Sequence, residues 1–372
     1  MQHLLATRLC ARHRLFYTPS APLRVFSRVL HTSLPISNAV ASAPPPTPTA
    51  PAGPGGPLGL VMRSLPPALV PYAQLVRFDK PVGTFLLYWP GAWGITMAAA
   101  TTGASVTSTA GTLALFGIGA LIMRGAGCVV NDLWDRELDR KVSRTATRPL
   151  AAGTLTATQA MACLTTQLFA GLGVLVSLPK ECFLLGAVSL APVAAYPVFK
   201  RFTHYPQLML ALTYNWGALL GFPAMSVALN ADIAPTMLSL YAAGVCWTMV
   251  YDTIYAHQDK TDDVKVGIKS TALAWGSNSK AVISGFATAQ VGLLAGVGML
   301  NALGPAYFVG IAWAAARLGR MIYAVDLDKP ADCWKWFVDN IKTGGVIFLA
   351  FVGEYIYRMF KSDEKEDEEH KE

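Results

Sequence analysis

An apolar run that ends in a cluster of carboxylates decides the fold class: LALFGIGALIMRGAGCVV (residues 113–130) leads directly into NDLWDRELD (residues 131–139). The run carries one charge, Arg124, and its length suits a helix that crosses about 30 Å of hydrocarbon. Four acids then occupy nine positions at its exit. This arrangement predicts a membrane-spanning helix with a functional acidic cluster at its end, because charges placed there need compensation.

The composition of the whole chain indicates a polytopic membrane protein. Of the 372 residues, 53% are hydrophobic and only 14% are charged, against roughly 25% charged residues in soluble domains. The long apolar segments are apolar on all sides, which is not typical of a soluble helical bundle. They predict an all-α protein with about nine transmembrane helices, at residues 83–101, 112–131, 158–178, 182–199, 207–227, 235–254, 281–300, 303–323 and 343–360.

The two ends of the chain differ from this body. Residues 1–60 are predicted to be a mitochondrial transit peptide and a Pro/Gly-rich linker, because the first thirty residues carry five arginines and no acid; a disordered basic tail is the alternative. Those arginines supply five units of the formal net charge of +7, so nucleic-acid binding is not indicated. The membrane domain is predicted over residues 61–360 and a disordered acidic tail over residues 361–372.

Positive charge divides the predicted loops into two sets. With nine spans, the loops on one side carry eighteen Lys and Arg residues, whereas those on the other side carry only Lys180. The positive-inside rule therefore predicts an inner-membrane protein whose charged side faces the mitochondrial matrix. The six cysteines are scattered singly, with no CxxC pair, which indicates neither a disulfide framework nor a zinc site.

A second acidic cluster, YDTIYAHQDKTDD (residues 251–263), repeats the first. Asp132 and Asp139 correspond to Asp252 and Asp259, each 120 residues later. Four predicted spans separate the clusters, so both are expected to emerge on the same side of the membrane. An inverted repeat of the kind found in transporters would place an odd number of spans between them.

Helical phase predicts that the acids of each cluster share one stripe. At about 100° per residue, one set of three falls within about 60° and the other within about 40°. The members are Asp132, Asp135 and Asp139 in the first set, and Asp252, Asp259 and Asp263 in the second. Oxygen ligands without His or Cys favour Mg²⁺, and the basic loops beside them favour a diphosphate. The alternative is ordinary interfacial acids neutralised by neighbouring Lys and Arg.

These residues resemble the UbiA superfamily of intramembrane prenyltransferases, whose signatures are NDxxDxxxD and DxxYAxxDxxxD. Both signatures are complete here, at residues 131–139 and 252–263. The resemblance covers roughly residues 70–345 and favours the mitochondrial members that act on para-hydroxybenzoate in ubiquinone biosynthesis. Further matches are LVRFDKPVGTFLLYWP (75–90), MRGAGC (123–128), RTATRPLAAG (144–153), YPVFKR (196–201), NWGALLG (215–221) and GIKSTAL (267–273).

The resemblance implies helices around a central cavity that opens sideways to the membrane. It implies Mg²⁺-dependent transfer of a polyprenyl group from an all-trans polyprenyl diphosphate to the ring carbon ortho to the hydroxyl of 4-hydroxybenzoate, with release of diphosphate. Membrane lipid and a ubiquinone-biosynthesis complex are the further partners expected. Three alternatives remain: a family member with another acceptor, such as a naphthoate, homogentisate or haem; a divalent-cation transporter, from a different class; and a non-catalytic lipid-binding scaffold.

The resemblance also implies roles for individual residues. The expected metal ligands are Asp132, Asp135, Asp139, Asp259 and Asp263. The expected diphosphate-binding residues are Arg148, Lys200, Arg201 and Lys269. The expected acceptor-binding residues are Arg77, Arg124 and Asn215. The expected catalytic residues, among them a group that orients the phenol or takes its proton, are Asp252, Asn131 and Tyr255.

Overall fold

The computed structural model describes residues 57–142 and 144–369, all within the compact unit Ala52–Glu372. Residues 1–56, and with them nearly all of the predicted presequence and linker, lie outside the described residues. The long elements are α3 (Val82–Thr102), α4 (Val106–Trp134), α6 (Ala157–Val176), α7 (Glu181–Phe202), α10 (Ala234–Ala256), α13 (Ser279–Leu300), α14 (Pro305–Ala324) and α16 (Ile341–Glu369). The shorter ones are α1 (Pro57–Ser64), α2 (Val70–Leu75), α5 (Arg136–Asp139), α8 (Pro206–Tyr214), α9 (Trp216–Ala224), α11 (Lys260–Val266), α12 (Thr271–Trp275) and α15 (Pro330–Asp339).

Local sequence signals start several of these helices. The hydroxyl of Ser105 accepts a hydrogen bond from the Ser108 amide at the start of α4. Thr156 and Gln159 form a capping box at the start of α6. Prolines stand in the first turns of α8, α10, α14 and α15, where a missing amide hydrogen costs no helical bond.

The all-α membrane fold class is confirmed, because every predicted span is helical in the structure. The fifth, predicted as one helix over 207–227, is instead two helices, α8 and α9, which meet at Asn215. By length and composition, four stretches of the described chain are suited to cross a membrane: Val106–Trp134, Ala157–Val176, Thr271–Leu300 and Pro330–Lys361. The count of nine spans therefore stays a prediction.

The core lies where α3, α9, α10 and α16 pack together. Trp93 of α3 and Trp247 of α10 are fully buried, with ring centroids 5.3 Å apart. α3 and α9 cross at glycines, because a Cβ on Gly221 would lie 2.5 Å from the carbonyl carbon of Gly94. The Trp93 indole donates to the carbonyl oxygen of Gly344 at 3.0 Å, which joins α3 to α16. Apolar side chains on the outer faces, such as Phe169, remain exposed as expected for contact with lipid.

Two further segments differ from the sequence predictions. α15 forms inside the stretch that was predicted as the loop between the last two spans. α16 continues to Glu369 and so includes most of residues 361–372, the predicted disordered tail. Glu and Lys are good helix formers, so the charged segment can extend a helix that the apolar residues before it have begun. Residues 370–372 lie outside the described part of the chain.

Candidate active site

Both acidic clusters lie where long helices end, but they do not form continuous helical stripes. α4 ends at Trp134, because Asp135 takes φ −94° and ψ 6°, and α10 ends at Ala256 before a short 3₁₀ turn. The predicted phase relation of about 100° per residue is therefore wrong beyond these ends. The buried aspartates are Asp132, Asp135, Asp139, Asp252 and Asp263, and Asp259 is partly buried.

Two arginines hold the first cluster. Arg77 Nη2 donates to Asp132 Oδ1 and Oδ2 at 2.8 and 2.7 Å. Arg148 Nη1 donates to Asp132 Oδ1 at 3.1 Å and to Asp139 Oδ2 at 2.8 Å. Burial lowers the pKa of the Arg148 guanidinium, but the carboxylates of Asp132 and Asp139 outweigh it and raise this pKa above its ordinary value. The Asp132 carboxylate is thus fixed by charge-assisted hydrogen bonds from both sides.

The loop between α5 and α6 connects the first cluster to the second. Arg144 Nε donates to Asp259 Oδ1 at 2.7 Å, and Nη2 of the same guanidinium donates to Asp259 Oδ2. The same guanidinium lies 5.3 Å from the ring centroid of Tyr255, a cation–π geometry. Because Arg148 of this loop binds the first cluster, the two clusters belong to one site. Arg144 was not among the predicted site residues, although it stands with Arg148 in the RTATRPLAAG match.

Lys80 is a second site residue that sequence analysis missed. Burial lowers the pKa of its ammonium group, and the positive charges of Arg77, Arg144 and Arg148 lower it further against the opposing effect of Asp79. Burial also raises the pKa of Asp79 above its ordinary value. The sequence gives no sign that Lys80 lies near Arg144 and Arg148, because more than sixty positions separate them. Their proximity follows only from the fold. This end of the protein therefore gathers at least four cations around the acids.

Arg124 and Asn215 lie deeper, between the helices. The Arg124 guanidinium lies 5.9 Å from the ring centroid of Tyr214 and contacts the sulfur of Cys128. The Asn215 side chain is fully buried, and its Nδ2 donates to the carbonyl oxygen of Ala211 and to Thr248 Oγ1. Asn215 therefore joins the α8–α9 break to α10 at Thr248, one helical turn before Asp252. Asn131 is in the last turn of α4, beside the first cluster.

The basic residues predicted to bind diphosphate are only partly described. Lys269 Nζ donates to the carbonyl oxygen of Phe202 at 3.2 Å, which brings the segment after α11 to the end of α7. Lys200 and Arg201 are in the last turn of α7, but their side chains lie outside the described part of the structure. His257 is buried and bonds Ser279 Oγ at 3.0 Å through Nε2. Burial lowers the pKa of His257 to about 4, so the imidazole is neutral near pH 7.

The donor chemistry of the site fits a hard divalent cation. Every predicted ligand supplies carboxylate oxygen, and neighbouring arginines provide the charge that buried carboxylates need. Within residues 57–142 and 144–369, however, no three His, Cys, Asp or Glu side chains are grouped closely enough to hold a metal ion. Asp132 and Asp259 instead bind guanidinium groups. The metal-ligand assignments stay predictions.

Comparison with known proteins gives concordant matches. Residues 87–352 match the UbiA prenyltransferase family. The chain is 50% identical over 305 residues to "4-hydroxybenzoate polyprenyltransferase, mitochondrial" from Saccharomyces cerevisiae, covering 82% of this chain and 81% of that protein. A UbiA homologue from Aeropyrum pernix K1 superposes with a TM-score of 0.58 at 21% identity, over 74% of this chain and 98% of the homologue.

A second solved structure shows the same fold. It is a UbiA homologue from Archaeoglobus fulgidus bound to GPP and Mg²⁺, with a TM-score of 0.54 and 17% identity over 78% of this chain and 99% of the homologue. At this level of identity the likeness shows the fold alone. The family match, by contrast, covers most of the chain and both aspartate motifs. The chain belongs to the UbiA prenyltransferase family.

Proposed function

We propose that this protein transfers a polyprenyl group from an all-trans polyprenyl diphosphate to the ring carbon ortho to the hydroxyl of 4-hydroxybenzoate, with release of diphosphate, as a step of ubiquinone biosynthesis. The name of the yeast relative supports both the reaction and the acceptor. In the structure, the proposal depends on one observation. Arg144 and Arg148 of a single loop bind the two aspartate clusters, so carboxylates and cations converge at one site.

Mg²⁺ is the proposed metal, and the homologue bound to GPP and Mg²⁺ supports this choice. The residues that would hold it are Asp132, Asp135, Asp139, Asp259 and Asp263, with Asn131 beside the first cluster. When bound, the metal supplies positive charge that stabilises the departing diphosphate. Asp132 and Asp139 also orient Arg148, so the metal ligands and the phosphate-binding groups are positioned by the same ion pairs.

The cations of the site would bind the diphosphate. Arg144 and Arg148 present planar guanidinium groups, which suit phosphate oxygens in a bidentate geometry. Lys80 lies within electrostatic reach of both and adds a compact charge. Lys269, Lys200 and Arg201 are proposed as further diphosphate-binding residues, and the Lys269 side chain contacts the end of α7, the helix on which the other two lie. Donors that are already oriented lower the barrier to leaving-group departure, because they need little reorganisation as charge develops.

The acceptor would bind deeper, beside α10. Asp252 is buried one to two turns before Asp259, so it is the proposed group to orient the phenol or to take its proton. Arg124 is proposed for the acceptor carboxylate, because it lies between the helices over the ring of Tyr214. Burial at this depth excludes water, which would otherwise consume an allylic cation. Loss of the ring proton after attack restores aromaticity.

The proposed location is the mitochondrial inner membrane, with the site facing the matrix. The yeast relative is named mitochondrial, and the loops near both aspartate motifs carry most of the positive charge. A soluble aromatic acid and Mg²⁺ would reach the site from the matrix. The polyprenyl tail would enter from the lipid, because it is insoluble in water. Membership of a ubiquinone-biosynthesis complex stays a prediction.

The decisive experiment is a transfer assay with purified protein in lipid nanodiscs. Radiolabelled polyprenyl diphosphate and Mg²⁺ are supplied with 4-hydroxybenzoate, homogentisate or a hydroxynaphthoate, and products are identified by mass spectrometry. We expect prenylated 4-hydroxybenzoate, lost on chelation and restored by Mg²⁺. Preference for another acid would assign a different acceptor. Mg²⁺ flux into proteoliposomes without transfer to any acid would contradict the proposal in favour of the transporter alternative.

A further inference from the structure

Helix α15 packs directly against the second aspartate motif. It is a ten-residue amphipathic helix whose buried residues are Cys333, Trp336 and Phe337. It contacts the last turns of α10 and the 3₁₀ turn His257–Asp259. None of its residues belongs to either aspartate signature, and the mechanism proposed above does not use it.

Phe337 lies between two tyrosines of α10. Its ring centroid is 5.9 Å from that of Tyr251 and 4.7 Å from that of Tyr255. The two tyrosines are one helical turn apart and so project from the same face. Trp334 completes the cluster, with its centroid 5.7 Å from Phe337 and 6.4 Å from Tyr255. Phe337 and Trp334 therefore pack against the ring of Tyr255.

The ring of Tyr255 also contacts the site itself. Arg144 lies over this ring, and the same guanidinium holds Asp259. Contacts therefore run without a gap from Phe337 to Tyr255, to Arg144 and to the carboxylate of Asp259. A cation–π contact is worth about three- to thirtyfold in an equilibrium constant, depending on its exposure. A displaced tyrosine ring would leave Arg144 without its support on one side.

We propose that Phe337, with Trp334 beside it, is a positioning residue that sets the ring of Tyr255 and through it the guanidinium of Arg144. The identity of the ligand rests on the proposed function, in which Arg144 binds the diphosphate of the donor. α15 then determines donor affinity although it touches neither substrate. Donor binding is predicted to depend on the shape of the residue at position 337, while acceptor binding does not.

The test is a double-mutant cycle in purified full-length protein. Phe337→Leu, Arg144→Gln and the double variant are compared with the unmodified chain for binding of Mg²⁺ with inorganic pyrophosphate by titration calorimetry. We expect Phe337→Leu to weaken binding about three- to tenfold in the presence of Arg144, and to have no further effect once Arg144 is removed. Phe337→Tyr keeps an aromatic ring and should restore affinity. In turnover assays, KM for the donor should rise and KM for the acceptor should not.

The control is Trp313→Leu, which removes an exposed aromatic residue from the lipid-facing side of α14. Trp334→Ala, at a partly exposed position, serves as the second variant should Phe337→Leu lower the melting temperature. Equal losses of pyrophosphate affinity with and without Arg144 would overturn the proposal, because they would indicate general loosening. If the unmodified chain transfers no prenyl group but the pyrophosphate affinities of the variants follow the expected pattern, the proposed function is overturned and the positioning role of Phe337 is not. Absence of pyrophosphate binding by the unmodified chain would overturn both.

Discussion

Arg77 shows how much of the site depends on individual contacts. It is one of three non-glycine residues of the described chain with positive φ, at 60°, a conformation that costs about 1–3 kcal/mol and is maintained only where the surroundings enforce it. Its side chain bonds the carbonyl oxygen of Gln74 and both oxygens of Asp132. The sequence predicted that Arg77 binds the acceptor carboxylate. Its contacts instead favour orientation of Asp132.

We therefore predict that Arg77→Lys raises the Mg²⁺ concentration needed for half-maximal turnover by roughly ten- to hundredfold. A lysine keeps the charge, but its single nitrogen cannot reproduce the geometry in which Nη1 bonds the carbonyl oxygen of Gln74 while Nη2 bonds Asp132, and a charge-assisted hydrogen bond is worth about 1.5–3 kcal/mol. Turnover is measured against Mg²⁺ at saturating substrates, with the exposed residue Arg63 changed to lysine as the control. A rise confined to KM for 4-hydroxybenzoate would instead support the acceptor-binding role.

Asp132→Asn should abolish prenyl transfer and leave the protein folded in the membrane. The asparagine has nearly the same shape, but it removes the charge that Arg77 and Arg148 share and that a metal ion would need. Turnover and melting temperature are measured together, with the exposed Asp232→Asn as the matched control. Near-normal turnover at ordinary Mg²⁺ concentrations would refute the assignment of Asp132 as a metal ligand.

Sequence spacing identified the acids of the site better than it identified their partners. The aspartates of each motif are close together in the sequence, so they can be recognised as a group. Their partners do not, since Arg77 and Asp132 are 55 residues apart and Arg144 and Asp259 are 115 apart. Only the packing of helices decides which arginine meets which carboxylate. For that reason Arg144 and Lys80 were missed, although both stand in segments that the family resemblance covers.

At the scale of elements, the break between α8 and α9 was not predicted. Hydropathy shows that residues 207–227 are apolar. It does not show the buried hydrogen bond of Asn215, the residue at which the helix is interrupted. Asn215 takes φ −92° and ψ 4°, and its amide bonds Thr248 on α10. The same limit applies to the ends of α4 and α10, where backbone torsions rather than composition end the helix. The length of an apolar stretch was enough to predict that a helix forms there. Whether that helix is continuous depended on single polar residues such as Asn215.

Replacement of Asn215 by alanine should destabilise the protein by about 0.6–1.7 kcal/mol, the range from average to maximum for hydrogen bonds between helices of a membrane protein. The variant loses the bonds to Ala211 and Thr248. Unfolding is followed in detergent, with the exposed Asn278→Ala as the control, because its side chain makes no capping bond. Thr248→Val should cost less in the Asn215→Ala background than in the unmodified chain, because only the bond from Thr248 to Tyr251 then remains to be lost. Additive losses would show that the two side chains act separately.

At the scale of the whole molecule, the charge division of the loops predicts which side bears the site. Thr107, in the first turn of α4, and Thr147, in the loop that carries Arg144 and Arg148, are both exposed. In a variant whose native cysteines are replaced, a cysteine at Thr107 should react with an impermeant thiol reagent added to mitoplasts. A cysteine at Thr147 should react only after the inner membrane is opened. The reverse pattern would place the site on the intermembrane face.

The contact between α3 and α16 sets an order of events during synthesis. Trp93 and Gly344, which share a hydrogen bond, are 251 residues apart. Translation delivers α3 first, and an indole N–H that faces lipid without an acceptor is costly. A chain whose translation stops before α16 contains both aspartate motifs and every cation described at the site, yet the Trp93 indole lacks its acceptor, the carbonyl oxygen of Gly344. Synthesis of α16 is thus the step that supplies this acceptor, and chains that end before Gly344 are expected to be less stable than the full-length protein.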